Sequence, residues 1–343
     1  MKTAIVLMQL GGPDRPAAVA PFLRNLFGDP AILDVPDFIR PFLAWLIASR
    51  RASKARAIYA QIGGKSPILE NTQGQAKALE AALNDQPGDE TRCFIAMRYW
   101  HPMTAEAVRH VAEFRPDRIV LLPLYPQYST TTTESSVKLW NEEAKAAGLA
   151  VPTVTVPPYP TEPGFIEALA ETTRAARNRL QETERPPIYL FSAHGLPKSI
   201  EEKRRDPYPA QVGETSAALA QALGLAEGDW VTCFQSRVGP VEWIRPYVDD
   251  CVIDAGLVLR PVVVVPIAFV SEHSETLVEL DIELREFAWH AQVPSYARAA
   301  TVGTHPAFIA GLARLVRAAV ASNNQAADGR MTDRSVTDAR PAP

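Results

Sequence analysis

Three cysteines, Cys93, Cys233 and Cys251, are all that 343 residues contain, and no two form a C-x-x-C pair. A disulfide framework and a cysteine-ligated zinc or iron–sulfur site are thereby disfavoured. Long apolar runs are missing as well: no stretch reaches the roughly 18 residues that would suggest a membrane span. The opening MKTAIVLMQLGGP carries one lysine and lacks a small-residue cleavage site, so it reads as a first strand, not a secretory signal. A formal charge of −4 leaves no broad basic surface, and nucleic acid is not an expected partner. There is no G-x-G-x-x-G and no Walker A pattern, and Gly11-Gly12-Pro13 alone is too short to imply a phosphate cradle. Nicotinamide, flavin and ATP are disfavoured, and the expected location is a reducing, cytoplasmic one.

What is present is a repeated alternation. Short apolar runs at 4–10, 93–97, 119–122, 151–156, 188–191, 231–234 and 262–267 end in Gly, Pro or polar residues. Most are continuous, as strands covered on both faces must be. Helical patterns lie between them at 73–83, 105–114, 163–180, 208–223 and 306–321. Strands alternating with helices predict an α/β chain with parallel sheets. The length suits two globular units, and the Pro-rich stretch at 156–160 is a candidate hinge. The final 322–343 is polar and patternless, and is expected to be disordered.

Function in open parallel sheets gathers at the carboxyl ends of strands. Four such ends here are rich in polar and aromatic groups: 98–101 (RYWH), 125–128 (YPQY), 192–194 (SAH) and 235–237 (QSR). The segment FSAHGLP (191–197) places His194 where an apolar run stops. An isolated histidine there is more often a satisfied core residue; the company of the other strand ends argues for a cleft. Glu275, Glu279 and Glu283 then follow at four-residue spacing, on one face of a helix with Glu272 and Glu286 in the same arc. Like charges so spaced destabilise a helix by a few tenths of a kcal/mol, so local stability does not explain them. A solvated acidic face is the plain alternative. Against it, Leu277, Val278, Leu280, Ile282, Leu284 and Phe287 flank the stripe. Crowded carboxylates that share protons suit a path for protons or a loosely held divalent cation.

Seven collinear segments carry a resemblance: LMQLGGP (7–13), IGGKSPI (62–68), RYWHP (98–102), YPQYS (125–129), FSAHGLP with DPYPAQ (191–211), QSRVGPVEW (235–243) and VPIAFVSEHSETLVELDIE (265–283). From about residue 3 to 320 the chain resembles the ferrochelatases, which insert ferrous iron into a porphyrin. The resemblance implies two similar Rossmann-like (chelatase-type) halves, each a four-stranded parallel sheet flanked by helices. Residues 1–155, with a returning helix at about 303–321, would form the first and 156–302 the second. It implies protoporphyrin IX and Fe²⁺ as substrates, with iron as cargo and no resident cofactor. His194 and Glu275 match the residues assigned to proton abstraction and iron contact. Glu272, His273, Glu279 and Glu283 match a proton and metal path on a helix that carries a π-turn in relatives. Leu10, Tyr59, Arg98, Tyr125, Ser236 and Trp243 match positions lining the porphyrin.

Some positions depart from the family. Arg205 stands where glycine usually precedes Asp-Pro-Tyr, which implies a backbone there with no glycine-only conformation. Leu10 replaces a methionine or tyrosine, and Glu272 replaces an aspartate. Thr131, and the lack of any cysteine after Cys251, speak against the [2Fe–2S] cluster of some relatives. The apolar stretch 38–47, followed by Arg50-Arg51, reads either as a packed helix or as a greasy lip resting peripherally on the inner membrane face. The competing functions are a coproporphyrin III ferrochelatase, a cobalt or nickel chelatase of a sirohydrochlorin-type ring, and a tetrapyrrole carrier without turnover.

Overall fold

Lys2–Gln9 (β1) buries seven of its eight residues, which only a strand covered on both faces and paired on both edges can do. The computed structural model describes residues 1–84 and 90–336, with the side chains of the last helix described as far as Ser322. β1 lies between Glu90–Met97 (β2) and Arg118–Pro123 (β3), and Thr153–Thr155 (β4) completes the sheet in the order β2-β1-β3-β4. The second half repeats this plan. Ile188–His194 (β5) is flanked by Trp230–Gln235 (β6) and Val262–Pro266 (β7), with Tyr296–Arg298 (β8) outside, in the order β6-β5-β7-β8. All six pairings are parallel. The expected α/β class and the two four-stranded sheets are as observed.

Successive residues of each strand point into different layers. Ile5 and Leu7 of β1 and Val120 and Leu122 of β3 join Phe191, Ala193, Val263 and Val265 of the second sheet in one apolar cluster. Helices Ile68–Leu83, Pro163–Arg177, Tyr208–Leu223 and Pro306–Val336 contribute to it. Ala4, Val6 and Met8 face the other way, onto helices Thr104–Phe114 and Ser135–Ala146. Leu190, Val262 and Val264 do the same toward Val248–Leu257 and Leu284–His290. The two sheets therefore share a central core, and each has its own outer one. At about 1.5–3 kcal/mol per fully buried large aliphatic, the shared cluster is a major part of what holds the halves together.

The last helix touches both halves. Phe308 packs on Phe165 with ring centroids 5.9 Å apart, while Arg317 donates to the Ala82 carbonyl at 2.9 Å. It also continues to Val336, past the expected end at 321. A helix already nucleated propagates through a polar segment that would not start one. Residues 337–343 of the expected tail lie outside the described residues.

Candidate active site

The carboxyl ends of the inner strands carry most of the residues singled out above. Leu10 follows β1, Arg98 follows β2 and Tyr125 lies just past β3; His194 ends β5, Ser236 follows β6, and Glu275 opens the helix after β7. β5 runs on to His194, paired with Gln235 of β6, so the imidazole sits at the mouth of the sheet. Its side chain is 39% exposed and that of Glu275 26%.

His194 Nδ1 lies 2.8 Å from Glu275 Oε2. Burial works to lower the histidine's pKa, but the Glu275 carboxylate, with help from Glu279, outweighs it and raises the value above the ordinary 6.5. Burial pushes Glu275 up, yet His194 and His273 hold it well below the carboxylate range. The ionised carboxylate fixes the ring proton on Nδ1 and leaves Nε2 as the acceptor. Glu279 behaves oppositely: burial and the neighbouring Glu275 charge raise it. One carboxylate is thus held ionised and the next is pushed toward holding a proton.

The local backbone makes this possible. Glu275–Glu283 is a π-helix, whose wider turn keeps the glutamates in a row at four-residue spacing. Ser236, with φ +67°, occupies the left-handed region disfavoured for a side chain. That conformation lets its N–H and its Oγ donate to the two oxygens of Glu279, at 2.7 and 2.5 Å. Glu283, at the end of the row, is exposed. The stripe therefore runs from the imidazole to solvent.

Not every expected residue joins it. Glu272 is the clear correction: Oε1 accepts from Arg298 Nη1 (3.0 Å) and Thr301 N (3.0 Å), and Oε2 accepts from Thr276 Oγ1 (2.5 Å). Those bonds turn the carboxylate toward β8, off the stripe. His273 is buried with Nε2 3.8 Å from Glu275 Oε2, behind the pair. Arg98 is committed to Asp29 (2.7 Å) and Ser135 (2.9 Å). Tyr59 reaches over from the first half; burial, with the charge of Glu275 adding to it against a hydrogen bond from Ser274, raises its hydroxyl to about 12. The Tyr125 hydroxyl and the Trp243 indole N–H are buried and have no hydrogen-bond partner among the described residues. Trp243 stands edge-on to His194, ring centroids 6.4 Å apart. Leu10 is half-buried beside the cluster that contains Tyr59, Tyr99 and Trp100.

Arg205 supplies a second correction. It is left-handed, at φ 48° and ψ 45°, where it ends helix Lys198–Arg204. The glycine-favouring conformation is kept in spite of the side chain.

Three residues at the site were not anticipated. Gln235 Nε2 donates to the Glu275 carbonyl at 3.1 Å and its Oε1 accepts from Ser192 at 2.8 Å. Tyr208 donates its hydroxyl to the His194 carbonyl at 3.1 Å. The signals for Gln235 and Tyr208 were there, within strand-end and DPYPAQ segments, but roles for them were not. Asp29 had no local signal, since its partners Tyr99 and Ser135 are 70 and 106 residues away.

Among the described residues no group of three or more His, Cys, Asp or Glu side chains has metal-holding geometry. The pair His194–Glu275 fits a transient grip on a passing cation.

A family profile described as Ferrochelatase matches residues 2–320. The chain belongs to the ferrochelatase family. Ferrochelatase of Caulobacter vibrioides is 52% identical over 320 residues, which cover 93% of this chain and 90% of that one. Those of Pelagibacter ubique and a Nostoc strain are 44% and 42% identical, covering 92% of this chain and 91% and 81% of their own lengths. Among solved structures, SirB from Bacillus subtilis with Fe³⁺ superposes at a TM-score of 0.55 and 13% identity, covering 95% of this chain and 98% of that one. That likeness shows the chelatase-type fold. A ferrochelatase is a lyase that inserts iron into a porphyrin in haem biosynthesis, and this chain carries that family's motifs in order.

Proposed function

We propose that this ferrochelatase inserts Fe²⁺ into protoporphyrin IX, giving haem b and releasing two protons. The observation that carries the chemistry is the 2.8 Å His194–Glu275 pair leading through Glu279 to exposed Glu283. A porphyrin holds two N–H protons in the plane a metal must enter. His194 Nε2, freed as acceptor by Glu275, takes a proton from a pyrrole nitrogen. The imidazole, protonated at Nε2, gives its Nδ1 proton to Glu275; Glu279, pushed toward holding a proton, takes it on along the stripe, and Glu283 gives it to solvent. The same carboxylates guide the divalent cation inward. Iron is cargo throughout.

Tyr59, Tyr125, Arg98, Trp243, Ser236 and Leu10 would line the ring. The preference for protoporphyrin over the more polar coproporphyrin III rests on the lip. Phe38, Phe42 and Trp45 are 87%, 59% and 48% exposed, ahead of exposed Arg50 and Arg51. Aromatics flanked by cations suit an anionic bilayer surface, where an insoluble ring would be collected, on the cytoplasmic face. No helix among the described residues is long and apolar enough to cross a membrane. Vesicles containing anionic lipid are expected to sediment the wild type and to lose F38S/F42S/W45S. Equal sedimentation of both would remove the lip from this account.

The decisive experiment is anaerobic Fe²⁺ insertion with protoporphyrin IX and coproporphyrin III in parallel. His194→Ala is expected to lower kcat by at least about 100-fold, the lower range for a general base. Preference for coproporphyrin would reassign the substrate, and porphyrin binding without turnover in the wild type would leave a carrier.

A further inference from the structure

Asp206 is a buried carboxylate that none of the chemistry above employs. It belongs to the second half, at the end of the loop between β5 and helix Tyr208–Leu223, yet most of its partners are in the first half. Its Oδ2 accepts from Ser129 Oγ at 2.9 Å, Thr130 N at 2.8 Å and Thr130 Oγ1 at 2.8 Å. Its Oδ1 accepts from Tyr208 N at 3.0 Å. Tyr208 in turn donates its hydroxyl to the carbonyl of His194. Three donors converging on one buried oxygen is far more than a solvated carboxylate needs, and the charge makes each bond stronger than a neutral one.

The neighbouring side-chain bonds on this stretch of the seam are between neutral groups. Tyr128 N donates to Gln211 Oε1 at 2.7 Å, and Gln127 Nε2 donates to Thr215 Oγ1 at 2.8 Å and to the Ile267 carbonyl at 3.2 Å. These bonds clasp the segment after β3 to helix Tyr208–Leu223. Asp206 adds a carboxylate clasp, and through Tyr208, which donates its N–H to Asp206 and its hydroxyl to the His194 carbonyl, it is tied to the histidine's own backbone. The left-handed Arg205 immediately before it turns the chain so that the carboxylate faces the seam.

We propose that Asp206 is a positioning residue: it pins the Ser129–Thr130 turn of the first half to the strand end that carries His194, with Tyr208 as the link. The inference rests on His194 and Glu275 being the metallating pair. Through this link, the spacing of the two halves and the placement of the imidazole are one geometric variable. A porphyrin that seats both halves thereby seats its base.

Asp206→Asn keeps the shape but presents an NH₂ either to Thr130 N–H or to Tyr208 N–H, so one side of the clasp opens. Ser129→Ala/Thr130→Val removes two donors from the opposite half without touching the loop after His194. Tyr208→Phe cuts only the link. The measurement is anaerobic Fe²⁺ insertion into protoporphyrin IX, with kcat and KM determined separately and porphyrin affinity followed by fluorescence quenching. Thermal unfolding of each variant accompanies it. Each variant is expected to lose about tenfold in kcat, as for one lost charge-assisted or orienting bond, while the KM for porphyrin and its affinity stay put. Combining D206N with S129A/T130V should add nothing further, since both open the same clasp. Unchanged kcat in D206N or in S129A/T130V, a multiplicative loss in the combination, or losses that follow the folded fraction would each overturn the proposal. If D206N does not fold, S129A/T130V and Y208F decide the matter by the same criteria. A His194→Ala kcat within about tenfold of wild type would instead sink the underlying reading, and a loss of about 100-fold or more in His194→Ala beside wild-type clasp variants would sink only this one.

Discussion

At the scale of residues, the site works by pulling neighbouring ionisable groups apart. His194 is raised and Glu275 lowered by the same 2.8 Å contact, with burial opposing both shifts. A base must be unprotonated, so the rising limb of kcat/KM against pH is expected above the ordinary imidazole value of 6.5. Glu275→Gln removes the largest raising influence, and that limb should move down in pH as overall rate falls. A limb that stays in place would mean another group is titrating. The signs for stability follow from linkage. The histidine's contribution is full below its unfolded pKa and is lost as pH climbs through the raised folded value. The glutamate's contribution is present above the ordinary carboxylate range and is lost as pH falls through its lowered folded value. Both side chains are partly exposed, so solvent screens these contributions. In the sequence His194 stands out where an apolar run stops and Glu275 as the start of a four-residue acidic repeat, and the structure brings the two within 2.8 Å. Glu272 misled because a helical arc says nothing about Arg298, 26 residues on, which claims it.

At the scale of elements, strands with continuous apolar runs were readable and short ones were not. β8 has three residues, Tyr296–Arg298, too few to form a pattern, and its role as an edge comes from pairing with β7. Helix Tyr208–Leu223 matched its sequence pattern end to end, helped by Pro207 before it and Gly224 in a left-handed cap after it. Helix Lys198–Arg204 has seven residues, none of them buried, so no apolar periodicity marked it. It also ends on a cap that costs energy: a left-handed arginine is disfavoured by roughly 1–2 kcal/mol where glycine is not. Arg205→Gly should therefore raise stability by about 1 kcal/mol, less the extra freedom glycine gains in the unfolded chain. A lower urea midpoint in that variant would mean the arginine side chain earns its place by a contact. The π-helix could not be derived from spacing, since α-helical geometry also lines up residues four apart; its wider turn shows only in the backbone.

At the scale of the whole molecule, the two halves share a core. Ile5, Leu7, Phe191 and Val265 belong to one cluster, and Phe308, Leu312 and Val316 of the last helix complete it. The Pro-rich segment at 156–160 suggested a hinge in the sequence, but Val156 and Tyr159 are buried in that same cluster. A single calorimetric unfolding transition is expected, not one per half. Two resolved peaks would show that the halves fold independently. The sheets also repeat one strand order, and β1 corresponds to β5 in it. β5 ends on His194, while β1 ends on Gln9 and continues into Leu10. The repetition of architecture is thus not a repetition of chemistry. A flat ring lodged between these strand ends would have two inequivalent faces, a reactive one toward the imidazole and a greasy one toward leucine. On a frame that repeats one strand order, a difference at a single strand end would give such a ring a front and a back.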